Sequence, residues 1–422
     1  MTDITTVDRS LNQKLLDARS ASRAIAGATA ELKNWALEAI AAAIEANESA
    51  IVSANDLDLA AGRNSGLSDG LQDRLRLDAA RLDGLAVAVR QIASLTDPVG
   101  EIVRGSTLPN GLKISQIRVP FGVIGVIYEA RPNVTVDLAA LAIKSGNAVV
   151  LRGGSAAMNS NRVLVDLIQG AIESVGLPAA VVQTIDEFGR AGAKELMQAR
   201  GLVDVLVPRG SSELIQAVVT ESTVPVIETG AGVVHIFLDE SAEERMALEI
   251  VRNAKVQRPS VCNALETLLV HASAAERLLP GVLAALAADG VVIHADEHAR
   301  AIFPKADPAT ESDWSTEHLA LGISVRVVAD LDSAMDHIRT YSTHHTESII
   351  TSDLGSAERF LSEVDSAVVM VNASTRFTDG GEFGFGAEVG VSTQKLHARG
   401  PMGLAELTST KWLVRGTGQA RA

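Results

Sequence analysis

Short, wholly apolar runs alternate with helix-period stretches along most of this chain, and that alternation leaves few folds open. VIGVIY at 123–128 has no polar alternation at all. Residues 134–144 have helical spacing and stop at Gly146, 148–151 are apolar again, 159–175 are helical, and 180–183 read as a further strand. Strands that are apolar on both faces and joined by crossover helices form parallel sheets covered on both sides. The spacing therefore predicts a doubly wound α/β sheet. A second set starts near Val233. A Ser241/Glu244 capping box opens a helix running to about Val256. Strands are then expected at 264–270, 290–294, 323–328, 348–351 and 367–371, with helices between them. Two such sheets suit 422 residues, too many for one core.

Residues 9 to about 95 read as helices. Leu15, Leu16, Ala18 and Ala21 begin one apolar stripe, Leu37, Ile40, Ala41 and Ile44 a second, and Leu82, Leu85, Ala86, Val89 and Ile92 a third. Asp97-Pro98-Val99-Gly100 breaks the pattern, and 102–118 alternate around an Asn110-Gly111 turn, a hairpin signal. A two-stranded ribbon buries little by itself, so it is expected to pack on a partner chain. Residues 409–415 read as an edge strand. A net charge of −15 leaves no basic face for nucleic acid or an anionic membrane, although a locally basic pocket could still take an anionic substrate. The most apolar run, 120–128, is too short to span a bilayer. With one cysteine and no visible export signal, a cytoplasmic location is expected.

That cysteine, Cys262, lies in QRPSVCN, on a break between a helical and a strand pattern. Alone, it is excluded from an internal disulfide or a thiolate cluster, which leaves buried packing or nucleophilic catalysis, weighted evenly. Lys255 and Arg258 stand close enough in sequence to lower its pKa. Glu228 in VIETGAG follows an apolar strand, where ligands of parallel sheets collect, although a solvated loop glutamate is the simpler account. Asn133 either caps the helix from Val134 or donates to an oxyanion. The stretch from Lys144 through Arg152, Gly153 and Ser155 is strand, glycine turn and helix, a weak nucleotide-cradle signal. Arg209-Gly210-Ser211 is a second such turn, whose amides could face a phosphate. Each could equally be a plain turn. His344 and His345 are adjacent, so on a strand they face opposite sides, and a metal site is rejected. Arg376 ends the VNASTRF run and suits a carboxylate or phosphate.

Taken together, these segments resemble the aldehyde dehydrogenase superfamily in order and approximate spacing. YEARPNVTVD, LRGGSAA, VPRGSS, QRPSVCNALET, HTES, MVNASTRFTDGGEFGFGAEVG and STQKLHARGPMGL bring the chain closer still to the branch that reduces an amino-acid acyl phosphate. The resemblance runs from about residue 10 to about 415. It implies a cofactor domain at 1–101 and 121–229, a catalytic domain at 230–385, and an oligomerisation ribbon and tail at 102–120 and 386–422, in a homo-oligomer. It also implies NADPH-dependent reduction of L-glutamyl 5-phosphate to L-glutamate 5-semialdehyde and phosphate, a step of proline biosynthesis supplied by glutamate 5-kinase.

On this resemblance Cys262 is the nucleophile and Asn133 an oxyanion donor. The cofactor residues are Lys144, Arg152, Gly153, Ser155, Arg209, Gly210 and Ser211. Arg376, Lys395 and His345 are candidates for the substrate's charged groups. Two departures from the wider superfamily matter. Arg152-Gly153-Gly154-Ser155 replaces the lysine-proline-glutamate pattern whose carboxylate holds the ribose, which favours NADP(H) over NAD(H). Glu228 stands where a hydrolytic enzyme activates water, a step that would waste the thioester here. The competing readings are a hydrolytic NAD(P)-dependent aldehyde dehydrogenase, which needs Glu228 as base, and a catalytically silent ligand-binding relative.

Overall fold

The computed structural model describes residues 4–421. The chain divides into two compact units. One comprises Met1–Glu228, Phe385–Gly390 and Met402–Ala422, and the other Thr229–Gly384 and Val391–Pro401. The first junction falls one residue before the expected one. The ribbon segments fall with the first unit, and 391–401 with the second.

In the first unit, the strands Val182–Thr184, Ala148–Arg152, Val123–Tyr128 and Val205–Arg209 lie side by side in that order, all parallel. The second and third strands in the chain add on one side of Val123–Tyr128 and the fourth on the other. The strand order thus reverses between Val123–Tyr128 and Val205–Arg209, and the loops leaving their carboxyl ends flank the crevice where such sheets hold ligands. Ile127, Val150 and Leu206 of the sheet share a core with Leu11, Leu15 and Ala18 of the helix Ile4–Ala26. Leu16, expected in that stripe, is exposed, and Ile25 completes the buried face instead. The spacing 11, 15, 18, 25 follows one side of a helix, and 16 lies off it.

The hairpin strands Ile102–Thr107 and Lys113–Pro120 pair antiparallel around the Asn110-Gly111 turn, where Gly111 takes φ +85°. Thr408–Arg415 pairs antiparallel on the other side of Lys113–Pro120, so the ribbon has three strands. Ile102, Val103, Trp412 and Val414 remain exposed on it.

The second unit holds seven parallel strands in the order Asp307–Pro308, Val292–Ala295, Gly322–Val328, Leu265–His271, Val234–Leu238, Thr346–Ile350 and Val368–Val371. Asp307–Pro308 is too short and polar to have been expected. Leu268, Val270, Ile293 and Val325 of the sheet bury against Leu278, Val282 and Leu286 of the helix Ala272–Ala288. The helix Glu244–Val256 is capped by Glu243, whose carboxylate accepts from the Arg245 and Met246 amides, and not by Ser241. The Ser241 hydroxyl instead donates to Asp239 and accepts from the Ser352 and Asp353 amides, tying two loops together. Among the described residues, no helix is long and apolar enough to cross a membrane.

Candidate active site

Cys262 sits half-buried on the connection between Glu244–Val256 and Leu265–His271. It lies at the amino edge of the parallel strands, opposite the edge where ligands of doubly wound sheets usually collect. Gly232 presses on it from the segment before Val234–Leu238. A Cβ on Gly232 would lie 1.6 Å from the Cys262 carbonyl oxygen, so only glycine fits. The Gly232 amide donates to Glu317 Oε1 at 2.8 Å.

Residues 372–378 double back along the sheet to reach the same loop. Asn372, at φ +55°, exchanges hydrogen bonds with the backbone of Thr351. Ser348 Oγ donates to the Ala373 carbonyl at 2.8 Å, and Thr346 Oγ1 to Thr378 Oγ1 at 3.0 Å. The turn that follows brings Arg376 beside the Cys262 loop, where its Nε donates to Gln257 Oε1 at 2.9 Å. Burial lowers the Arg376 pKa, Arg258 adds to that, and Asp379, Cys262 and Glu382 oppose it. Two guanidinium groups therefore act in the neighbourhood of Cys262.

Three residues expected here are engaged elsewhere. Lys255 is fully buried in an ion pair with Glu266 Oε2 at 2.8 Å, so its charge is matched first by that carboxylate. His345 is fully buried and shares a hydrogen bond with Thr346 Oγ1 at 2.8 Å. Burial pushes its imidazole down to about 4, which keeps it neutral near pH 7 and removes it as a charged substrate contact. Lys395 pairs with Asp365, which also takes Arg399 at 2.9 Å, in an exposed cluster.

In the first unit, the helix Pro132–Lys144 starts at Pro132, which puts Asn133 inside its first turn and ends the capping account. Asn133 Nδ2 donates to Asp137 Oδ2 at 3.2 Å, one turn on. Burial pushes the Asp137 carboxyl up to about 6, opposed by Arg209 and by the Asn133 hydrogen bond. A folded-state pKa above the unfolded one means the folded chain holds a proton that the unfolded chain releases. Stability then falls as pH rises from the ordinary aspartate value of about 3.9 through about 6. A rise of that size corresponds to a ceiling of about 3 kcal/mol. Asp137→Asn is expected to raise the melting temperature at pH 8 and leave it nearly unchanged at pH 4. Equal shifts at both pH values would count against this assignment.

The two turns expected to face phosphates already hold carboxylates of the protein. Glu129, just past Val123–Tyr128, accepts from the Ser211 amide at 2.8 Å and the Ser211 hydroxyl at 3.1 Å, across the strand-order reversal. A Cβ on Gly210 would lie 2.6 Å from the same carboxylate. Arg209 donates to the Val389 carbonyl. The Gly153 amide donates to Asp186 Oδ1 at 2.5 Å, and Asn161 to Asp186 Oδ2 at 2.9 Å. Arg152 donates a long hydrogen bond, 3.4 Å, to the Gly189 carbonyl and its charge also acts on the Asp186 carboxylate, while Ser155 is exposed. Of the expected cofactor set, Arg152 and Ser155 thus best fit a nucleotide. Lys144 does not: its ammonium donates to Asn34 Oδ1 and the Ala93 carbonyl, both at 2.6 Å, and locks neighbouring helices. Glu228, half-buried, accepts from Gln216 Nε2 at 3.2 Å.

Glu129, Asp186 and Asn263 were not singled out in the sequence. Glu129 directly follows an apolar strand and was open to detection. Asp186 and Asn263 act through partners far away in the chain.

The aldehyde dehydrogenase family model matches residues 7–304. The chain is 67% identical over 418 residues to the gamma-glutamyl phosphate reductase of Leifsonia xyli, covering 99% of each chain. It is 66% identical to that of Clavibacter michiganensis over 97% of this chain and 95% of that one. The crystal structure of gamma-glutamyl phosphate reductase from Thermotoga maritima superposes with a TM-score of 0.95 at 45% identity, over 98% of this chain and 100% of that one. On this evidence the chain belongs to the aldehyde dehydrogenase family and, within it, to the gamma-glutamyl phosphate reductases.

Proposed function

We propose that this protein reduces L-glutamyl 5-phosphate to L-glutamate 5-semialdehyde and phosphate with NADPH, through a thioester on Cys262, as the second step of L-proline biosynthesis. The observation that carries the mechanism is a half-buried cysteine on a clamped loop with Arg376 at its side. The thiolate attacks the acyl carbon of the acyl phosphate, the bond from carbon to the bridging oxygen breaks, and phosphate leaves with both electrons. Phosphate is a good leaving group, so no strong acid is required. The backbone N–H of Cys262 stabilises the oxyanion, and the resemblance gives Asn133 the same role. Arg376 receives the substrate's phosphate. Arg152 and Ser155 would hold NADPH, which would supply the hydride that reduces the thioester. Collapse of the resulting hemithioacetal on Cys262 releases the aldehyde and restores the thiolate. The exposed apolar residues of the ribbon pair subunits in a homo-oligomer.

In the reverse direction, NADP⁺ reduction by the semialdehyde is expected to require inorganic phosphate as acyl acceptor. Oxidation that proceeds equally without phosphate would favour the hydrolytic reading. NADPH is expected to outperform NADH, and Arg152→Ala to erode that preference by about tenfold, near the worth of one charge-assisted hydrogen bond. NADH rates equal to or above NADPH rates in the wild type would overturn the cofactor assignment.

A further inference from the structure

We propose that Asn263 is a positioning residue for the reaction: it clamps the Cys262 loop to the turn that carries Arg376, fixing the nucleophile against the substrate's phosphate. The inference rests on Cys262 being the nucleophile.

The clamp is reciprocal. The Asn263 side-chain amide donates to the Thr378 carbonyl at 2.8 Å and the Arg376 carbonyl at 3.4 Å. In return, Thr375 Oγ1 donates to the Asn263 carbonyl at 2.8 Å. Asn263 is 4% exposed, Thr375 0% and Thr378 1%, so water does not compete for these bonds. The peptide chain is thereby held on both sides of Arg376 by the residue next to Cys262. Two further ties hold the same turn: Ser374 Oγ to Asn253 Oδ1 at 2.7 Å, and Arg376 to Gln257. These come from the helix and loop leading into Cys262, so the whole turn moves with the nucleophile. From the other side, Gly232 presses on the Cys262 carbonyl. A loop otherwise free of regular structure is fixed at the two peptide units that follow Cys262.

Aspartate is no substitute for Asn263. Its carboxylate would face two carbonyl oxygens, with no proton to offer when ionised. It would also set a negative charge one residue from the thiolate.

The test uses the full chain and measures steady-state kinetics, melting and the pH profile of iodoacetamide inactivation. With one cysteine in the sequence, alkylation reports on Cys262 alone. Asn263→Ala and Asn263→Asp are expected to lower kcat about 100-fold, the scale of an ångström of misplacement. KM for NADP⁺ should stay within twofold of wild type, and the alkylation midpoint should move to higher pH as the thiolate parts from Arg376. Thr375→Val should lose about tenfold in kcat, roughly one hydrogen bond, and Thr375→Ser should restore it. If the Asn263 variants do not fold, the Thr375 pair decides. Folded Asn263→Ala or Thr375→Val with wild-type kcat and alkylation profile would overturn the proposal, leaving only a structural role. Cys262→Ala is run alongside. If it retains phosphate-dependent activity, the reading beneath the proposal fails as well. If it is inactive while Asn263→Ala is normal, the proposal alone fails.

Discussion

Cys262→Ala is expected to abolish turnover, with phosphate-dependent NADP⁺ reduction falling by at least about 10⁴-fold, the scale on which enzymes lose activity when a covalent nucleophile is removed. The fold should survive the change. Cys262 is half-buried on a connection, and the removed sulfur leaves no large cavity in a packed layer. Glu228→Gln is expected to cost less, under about 100-fold, below the usual range for a general base, because phosphate leaves without such help. The ranking follows from the fate of the thioester. In a hydrolytic enzyme, Glu228 would activate the water that cleaves it, and both substitutions would be equally severe. In acyl-phosphate reduction, that water step is a loss. Rates for the two variants, measured with and without phosphate, separate the mechanisms. Equal severity would favour hydrolysis.

The parallel sheets were legible because their strands are apolar on both faces. Residues 123–128 match the observed strand to the residue, and the five strands expected in the second unit lie within two residues of those found at either end. Termini were less legible, since local capping signals compete. Ser241 has the right spacing for a capping box, but its hydroxyl is engaged by a neighbouring loop, and Glu243 caps instead.

Cys262 stood out in the sequence as a lone cysteine at a helix–strand break. Its setting was not. The clamp joins Asn263 to Thr375 and Thr378, more than a hundred positions away, and no periodicity reports such a contact. Charge was the most misleading local signal. Lys144 and Lys395 look in sequence like ligands for anions and Lys255 like a neighbour that lowers the Cys262 pKa, yet Lys144 and Lys255 are buried against internal acceptors and Lys395 meets Asp365. A lysine's partner is set by the fold, and the sequence alone does not reveal it.

Lys255→Met is expected to destabilise the protein by about 3–5 kcal/mol, the cost of leaving a buried ion without its partner. Lys255 stands near the end of Glu244–Val256 and Glu266 near the start of Leu265–His271, so their 2.8 Å pair closes the loop that carries Cys262. Neither side chain is exposed. Burial already pushes the Glu266 carboxyl up to about 7 with Lys255 beside it, and without the cation it rises further. The sign of the pH dependence follows. A carboxyl whose folded pKa is raised stabilises the fold only while protonated, so the variant should melt higher at pH 5.5 than at pH 8.5. Lys255→Met/Glu266→Leu should recover most of the lost stability, because an apolar pair of similar volume removes the desolvation cost along with the attraction. The Leu319 amide, which donates to Glu266 Oε1 at 3.2 Å, would then lack that acceptor and limit the recovery. Melting curves of the single and double variants at the two pH values check each step. A single variant as stable as wild type at pH 8.5 would show that the pair does not hold the Cys262 loop closed.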